Sequence, residues 1–98
     1  MIIRIVKMTF APENVDTFLN IFEETKSRIR GFEGCQHLEL LNDVDQTNIF
    51  FTYSYWDSQE HLNAYRHSNL FGDVWPRTKK LFAAKPEAWS VTQKHILE

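Results

Sequence analysis

The sequence predicts an α+β fold of order β-α-β-β-α-β, a four-stranded antiparallel sheet with helices packed on one face. Three observations predict it. Four short segments alternate in polarity and are rich in β-branched and aromatic residues. Two longer segments between them carry apolar residues at helical spacing behind N-terminal start signals. The two middle strands are joined only by a short polar turn, so they pair as neighbours. The right-handed crossover rule leaves few other topologies than this ferredoxin-like, split βαβ arrangement.

The elements follow in order. "IIRIVKMTF" (2–10) places Ile2, Val6, Met8 and Phe10 on one parity and Ile3 and Ile5 on the other, as in a strand covered on both faces. Pro12 ends it and suits the first position of a helix. Glu13 and Asp16 put negative charge where the helix dipole favours it. Val15, Phe18, Leu19, Phe22 and Ile29 then form one apolar stripe, and Gly31 fits a left-handed cap after Arg30. "GFEG" is a turn.

"CQHLELL" (35–41) sets Leu38 and Leu40 against Cys35, His37, Glu39 and Leu41. After "NDVDQTN", the strand "IFFTYSYW" (49–56) opposes Ile49, Phe51, Tyr53 and Tyr55 to Phe50, Thr52, Ser54 and Trp56. Bulk on both faces predicts a central strand. "DSQE" (57–60) matches a capping box, with Asp57 as the cap and Ser58 as the alternative. The helix continues through "HLNAYRHS" with Leu62 and Tyr65 inward. Gly72 and Asp73 are read as its interruption, and Asp73 as the cap of a further helix that tolerates Pro76. Pro86 closes that element, and "AWSVTQKHIL" (88–97) is the last strand.

Ninety-eight residues suggest one domain, spanning 1–98. A chain of this size buries only about 60–70% of its unfolded surface. Eight Phe, three Trp and three Tyr exceed what one small core readily hides. The sheet face without helices also carries apolar residues. A second copy of the chain is the economical cover, so a homodimer burying about 800 Å² per partner is expected. Net charge is −2 with no basic stripe, which argues against nucleic acid. The single Cys35 rules out an internal disulfide and fits a reducing compartment. No apolar run reaches about 18 residues and no signal peptide is evident, so neither membrane nor export is expected and the location read is cytoplasmic.

Three stretches resemble one family. "IRGFEGCQHLELL" is similar to its helix end, glycine turn and strand entry. "FFTYSYWDSQEHLNAY" is similar to its aromatic strand ending in Trp before a capped helix, and "SNLF" to its Ser-x-x-Phe element. The chain resembles, over almost its whole length, the antibiotic biosynthesis monooxygenase family of dimeric α+β barrels. The resemblance implies a cofactor-free monooxygenase acting on a small phenolic or quinol-like aromatic. The family pattern W…L-x-A-H-x-x-S has Tyr65 here in place of its His, with His67 two residues later. Haem-degrading relatives carry an axial His four residues after the Phe, where this chain has Trp75. No haem is therefore expected, and no Gly-rich phosphate loop among Gly31, Gly34 and Gly72 points to a nucleotide cofactor such as a flavin.

Such chemistry needs a dry aromatic pocket, a base and hydrogen-bond donors for the anion formed. Phe22, Phe51, Trp56, Tyr65, Phe71, Trp75 and Phe82 are the candidate walls. His67 or His37 is the candidate base, and Tyr53, Tyr65 or Arg66 the donor. His37 and Glu39 share a strand parity, roughly 6.5–7 Å apart at Cα. Each aromatic also has a plain reading as core, and the His37–Glu39 pair as surface. No H-x-x-x-H or C-x-x-C spacing links His37, His61, His67 and His95 as metal ligands. Two other functions stay open: a non-catalytic ligand-binding or stress-related module, and an isomerase or lyase using His37 or His67 as proton carrier.

Overall fold

The computed structural model describes the whole chain, Met1–Glu98. Its strands are β1 (Ile2–Thr9), β2 (Cys35–Asn42), β3 (Ile49–Trp56) and β4 (Glu87–Val91). Its helices are α1 (Val15–Arg30), α2 (Gln59–Arg66) and α3 (Asn69–Lys79), with a 3-10 turn at Pro12–Asn14 ahead of α1. The strands form one antiparallel sheet in the order β2-β3-β1-β4, so β3 is central as its two-sided bulk predicts. No helix is long and apolar enough to cross a membrane.

Register assigns the two faces. Val6 and Met8 pair with Thr52 and Phe50, and Arg4 with Ser54. That face lies under the helices: Met8, Phe10, Phe18 and Phe50 form the main core, with Phe10 and Phe18 stacked at 4.2 Å. The other parity forms the bare face, in rows such as Glu39–Tyr53–Ile5–Trp89 and His37–Tyr55–Ile3–Val91. Ile3 is buried within the chain, but Leu41, Trp89 and Val91 on this face are each about 40% exposed or more.

Several boundaries depart from the sequence reading, each for a local reason. Cys35 leaves the parity of His37 because the register shifts between them, a bulge that turns Cys35 toward Trp56 and Leu62. On α1 the buried residues are Phe18, Ile21, Thr25 and Ile29, whereas Leu19 is 37% exposed. Thr25 can sit there because its hydroxyl donates to the Ile21 carbonyl at 2.8 Å. Gly31 ends α1 in right-handed geometry, φ −83°. The positive φ falls instead on Gly34, at +89°. Ser58, not Asp57, caps α2, accepting from the His61 N–H at 3.2 Å. The Asp57 carboxylate accepts from the Gln36 side chain instead.

The break between α2 and α3 comes at Ser68 rather than at Gly72 and Asp73, which lie inside α3 together with Pro76. One hydroxyl explains it. Ser68 Oγ donates to the Tyr65 carbonyl at 2.6 Å and accepts from the Phe71 N–H at 3.1 Å. It thus satisfies the end of one helix and the start of the next. Strand β4 stops at Val91 because Val91 already pairs with Ile3, one residue from the start of β1. Residues 92–98 have no further strand to join and carry no regular structure.

Candidate active site

The helices do not close completely onto the sheet. A cavity of about 340 Å³ remains between them, within the range of small-molecule sites. Its floor is the helix side of the sheet: Arg4, Val6 and Met8 from β1, Leu38 from β2, Thr52, Ser54 and Trp56 from β3, and Ala88 from β4. Its roof is Phe18, Phe22 and Ile29 from α1, Leu62, Tyr65 and Arg66 from α2, and Phe71, Val74, Trp75 and Thr78 from α3.

The aromatic walls brace one another. Tyr65 stacks on Trp56 at 4.9 Å and meets Phe71 edge-on at 5.3 Å. Phe71 stacks on Trp75 at 5.7 Å, and Trp75 meets Phe82 edge-on. Such pairs fix ring orientation beyond what area burial alone gives. The Trp56 indole N–H donates to Ser54 Oγ at 3.0 Å, so that end of the wall cannot rotate freely. The Thr78 hydroxyl is committed to the Val74 carbonyl.

Four polar side chains are left to act on a ligand: Thr52, Tyr65, Arg4 and Arg66. Burial raises the Tyr65 phenol to a pKa of about 12, with the nearby Cys35 adding to the shift. At neutral pH Tyr65 is therefore a protonated hydrogen-bond donor and not a base. Arg4 lies half-buried on β1, its guanidinium steadied by donation to Ser90 Oγ at 3.0 Å. Burial, and then the Arg66 charge, lower the Arg4 pKa, though a guanidinium stays protonated in proteins. Arg66, at the last turn of α2, completes a cationic margin to an otherwise apolar chamber.

The structure gathers only some of the residues named from the sequence. Phe22, Trp56, Tyr65, Phe71 and Trp75 line the cavity together with Arg66. Phe82 lies beyond it, bridged to Phe10 with rings 5.3 Å apart. Phe51, Tyr53 and His37 project from the bare face, because they share the parity opposite to Thr52 and Ser54. There His37 contacts Glu39 and lies 4.8 Å from the Tyr55 ring. The Tyr55 hydroxyl meets that of Tyr53 at 3.2 Å and, with burial, raises the Tyr53 pKa. His67 lies exposed at the end of α2, its Nδ1 bonded to the Asn63 carbonyl and outside the cavity.

Sequence reasoning missed Arg4, Thr52, Ser54 and Thr78. Arg4 left one signal, a charge on the same parity as Ile2, Val6 and Met8. Cys35 is buried and desolvation raises its thiol pKa, which makes it a small core residue. No three His, Cys, Asp or Glu side chains converge as a ligand set.

A family model described as antibiotic biosynthesis monooxygenase matches residues 1–75, which takes in the sheet through β3, both α1 and α2, and most of the α3 wall. No curated protein matches the sequence. A conserved protein from Methanosarcina mazei Go1 is similar in structure, at TM-score 0.89 and 21% identity, covering 96% of this chain and 94% of that one. A putative antibiotic biosynthesis monooxygenase from Nitrosomonas europaea has TM-score 0.89 and 12% identity, covering 97% and 100%. One from Caulobacter crescentus CB15 has TM-score 0.88 and 13% identity, covering 96% and 90%. At these identities the structural likeness speaks for the fold. With three quarters of its length matched by the family model, the chain belongs to the antibiotic biosynthesis monooxygenase family.

Proposed function

We propose that the protein is a monooxygenase that oxidises a small hydroxyaromatic with dioxygen, using no metal or flavin. The observation that carries this reading is the braced aromatic chamber with the un-ionised Tyr65 hydroxyl as its donor. Family membership supports the reaction class, and the volume supports a substrate of one or two fused rings. In the reaction proposed, the substrate phenol loses its proton to solvent and becomes electron-rich. It passes one electron to dioxygen, and the radical pair joins at a ring carbon that bears hydrogen. The resulting hydroperoxide loses water to give the quinone. One oxygen atom stays in the product and the other leaves as water.

The chain's own part is to hold the ring, exclude water and stabilise the anion. Tyr65 donates toward the developing oxyanion. No histidine or carboxylate lines the chamber, so the cationic margin favours deprotonation by electrostatics rather than by a protein base.

Oxygen uptake tests this with a panel of naphthols and hydroquinones in air. Uptake above a heat-killed control is expected for at least one compound. Tyr65→Phe is expected to lower kcat about 10²-fold, the usual cost of one anion-stabilising donor, with little change in the folded state. Tight ligand binding without oxygen uptake would leave the second reading, a ligand-binding module on the same fold.

The reading includes a homodimer through the bare sheet face, as a single 98-residue domain. Half-exposed Trp89, Val91 and Leu41 support it, a patch that water solvates poorly. Light scattering at micromolar concentration is expected to report twice the 11.7 kDa chain mass. Trp89→Glu, which places charge in that patch, is expected to shift the protein to monomer. A wild-type monomer at that concentration overturns the arrangement.

A further inference from the structure

Arg4 and Arg66 pose an electrostatic problem that the fold itself does not solve. They come from different elements, β1 and α2, and both face the same cavity. None of the ion pairs in the chain involves either one. Arg4 has only the neutral Ser90 hydroxyl as a partner. The Arg66 charge is close enough to disfavour the charged form of Arg4. Two like charges beside a chamber lined mainly by hydrocarbon and aromatic rings repel each other, and Arg4 is in addition partly desolvated. An anion seated between them relieves both penalties. A guanidinium fork matches a planar carboxylate with two parallel hydrogen bonds, a pairing that water or a hydroxyl cannot replace.

We infer that the cavity takes an aromatic carboxylate, its acid group held by Arg4 and Arg66 while its hydroxylated ring lies against Trp56 and Trp75. The inference rests on the reading of the cavity as a hydroxyaromatic site, and it narrows the substrate class to hydroxyaryl acids. Arg4 sits two ladder pairs from Trp56, the next position on the same face, since Ile2 pairs with Trp56 and Arg4 with Ser54. The acid-binding end of the chamber is therefore next to the Trp56–Tyr65 stack, within reach of one bicyclic ligand.

The test is calorimetric titration under nitrogen, where no turnover occurs, with 1-hydroxy-2-naphthoate, its neutral amide 1-hydroxy-2-naphthamide, and 1-naphthol. The acid is expected to bind at least about tenfold more tightly than the amide, the usual scale of a charge-assisted bond. The preference should shrink as salt is raised. Arg4→Gln and Arg66→Gln should each remove most of the acid-over-amide preference. Arg66 is exposed on a helix surface, so its variant keeps the fold even if the Arg4 variant does not.

Equal affinity for acid and amide overturns the inference, as does an acid preference that survives both substitutions. Oxygen uptake, measured separately, distinguishes the two levels. If 1-naphthol is oxygenated and the acid is not bound, the substrate class fails and the monooxygenase reading stands. If the acid binds through the arginines but no oxygen is consumed with any compound, the acid site stands and the monooxygenase reading fails.

Discussion

Replacing Trp56 by alanine is expected to destabilise the protein by about 4 kcal/mol, within the usual range for removing a large buried aromatic. Trp56 is 1% exposed at the end of β3. It packs with Cys35 and Leu62, stacks on Tyr65 at 4.9 Å and meets Phe32 edge-on at 6.4 Å. Alanine removes all of these contacts and leaves the Ser54 hydroxyl, itself buried, without its indole donor. Domains of this size have a total stability of only about 5–15 kcal/mol, so much of the margin disappears.

Trp56→Phe separates packing from hydrogen bonding. It keeps a ring against Tyr65 and should cost about 1–2 kcal/mol, a lost hydrogen bond plus a small void. The measurement is the urea midpoint at one fixed protein concentration, with the m-value checked for constancy. A shift below about 1 kcal/mol for the alanine variant would show that β3 and α2 do not meet through this side chain. The same substitution should abolish ligand binding in whatever fraction still folds. The site and the fold share this residue, so their losses travel together.

That sharing explains how the fold could be read from the sequence more fully than the site. Alternation over 49–56 places Phe51 and Tyr53 on one face and Thr52 and Trp56 on the other, but both faces are bulky. Parity alone does not say which face the helices cover. With that choice open, His37, Phe51 and Tyr53 enter the same list as Trp56, although the sheet lies between them. The helical aromatics carry no such ambiguity. Tyr65, Phe71 and Trp75 lie on helices that cover one side of the sheet, and as large aromatics they turn inward and line the cavity.

Arg4 is the instructive case. A charge among Ile2, Val6 and Met8 contradicts the apolar pattern of its strand face, and such a contradiction is where function concentrates. Recognising it required knowing that this face is the covered one. Other details depend on single hydrogen bonds that no periodicity encodes. The hydroxyl of Ser68 divides α2 from α3, whereas the Gly-Asp pair that looked like a break is simply helix. The bulge at Cys35 likewise moves one residue across the sheet, and the neighbouring Gly34 marks a turn without giving the register shift that follows it.

Gly34→Ala is expected to cost about 4 kcal/mol, from two causes that a second substitution can separate. The first is conformational. At φ +89° an L side chain is strained, at a cost on the order of 1–3 kcal/mol. The second is steric. An added Cβ would lie 2.4–2.5 Å from Cγ, Cβ and Cδ2 of His61.

His61 cannot simply swing away, because its Cβ is carried by the first turn of α2. Its ring Nδ1 is bonded to the cap residue Ser58 at 2.7 Å and its N–H to the same hydroxyl. The Gly34 carbonyl also accepts from the Asp57 N–H at 2.8 Å, so the turn and the helix start are locked together from both sides. Relief would require α2 to lift from the sheet, which would pull Leu62 and Tyr65 out of contact with Trp56.

In a His61→Gly background the steric part is absent and only the backbone strain remains. There Gly34→Ala should cost about 1–2 kcal/mol, giving a coupling of roughly 2 kcal/mol in the double-mutant cycle. The His61→Gly change alone should cost about 1–2 kcal/mol, from helix propensity together with the lost Ser58–His61 ring hydrogen bond. A coupling near zero, with Gly34→Ala costing the same in both backgrounds, would mean that the close approach of α2 to this turn does not exist. The hold of α2 on the Tyr65 wall of the cavity would then need another explanation.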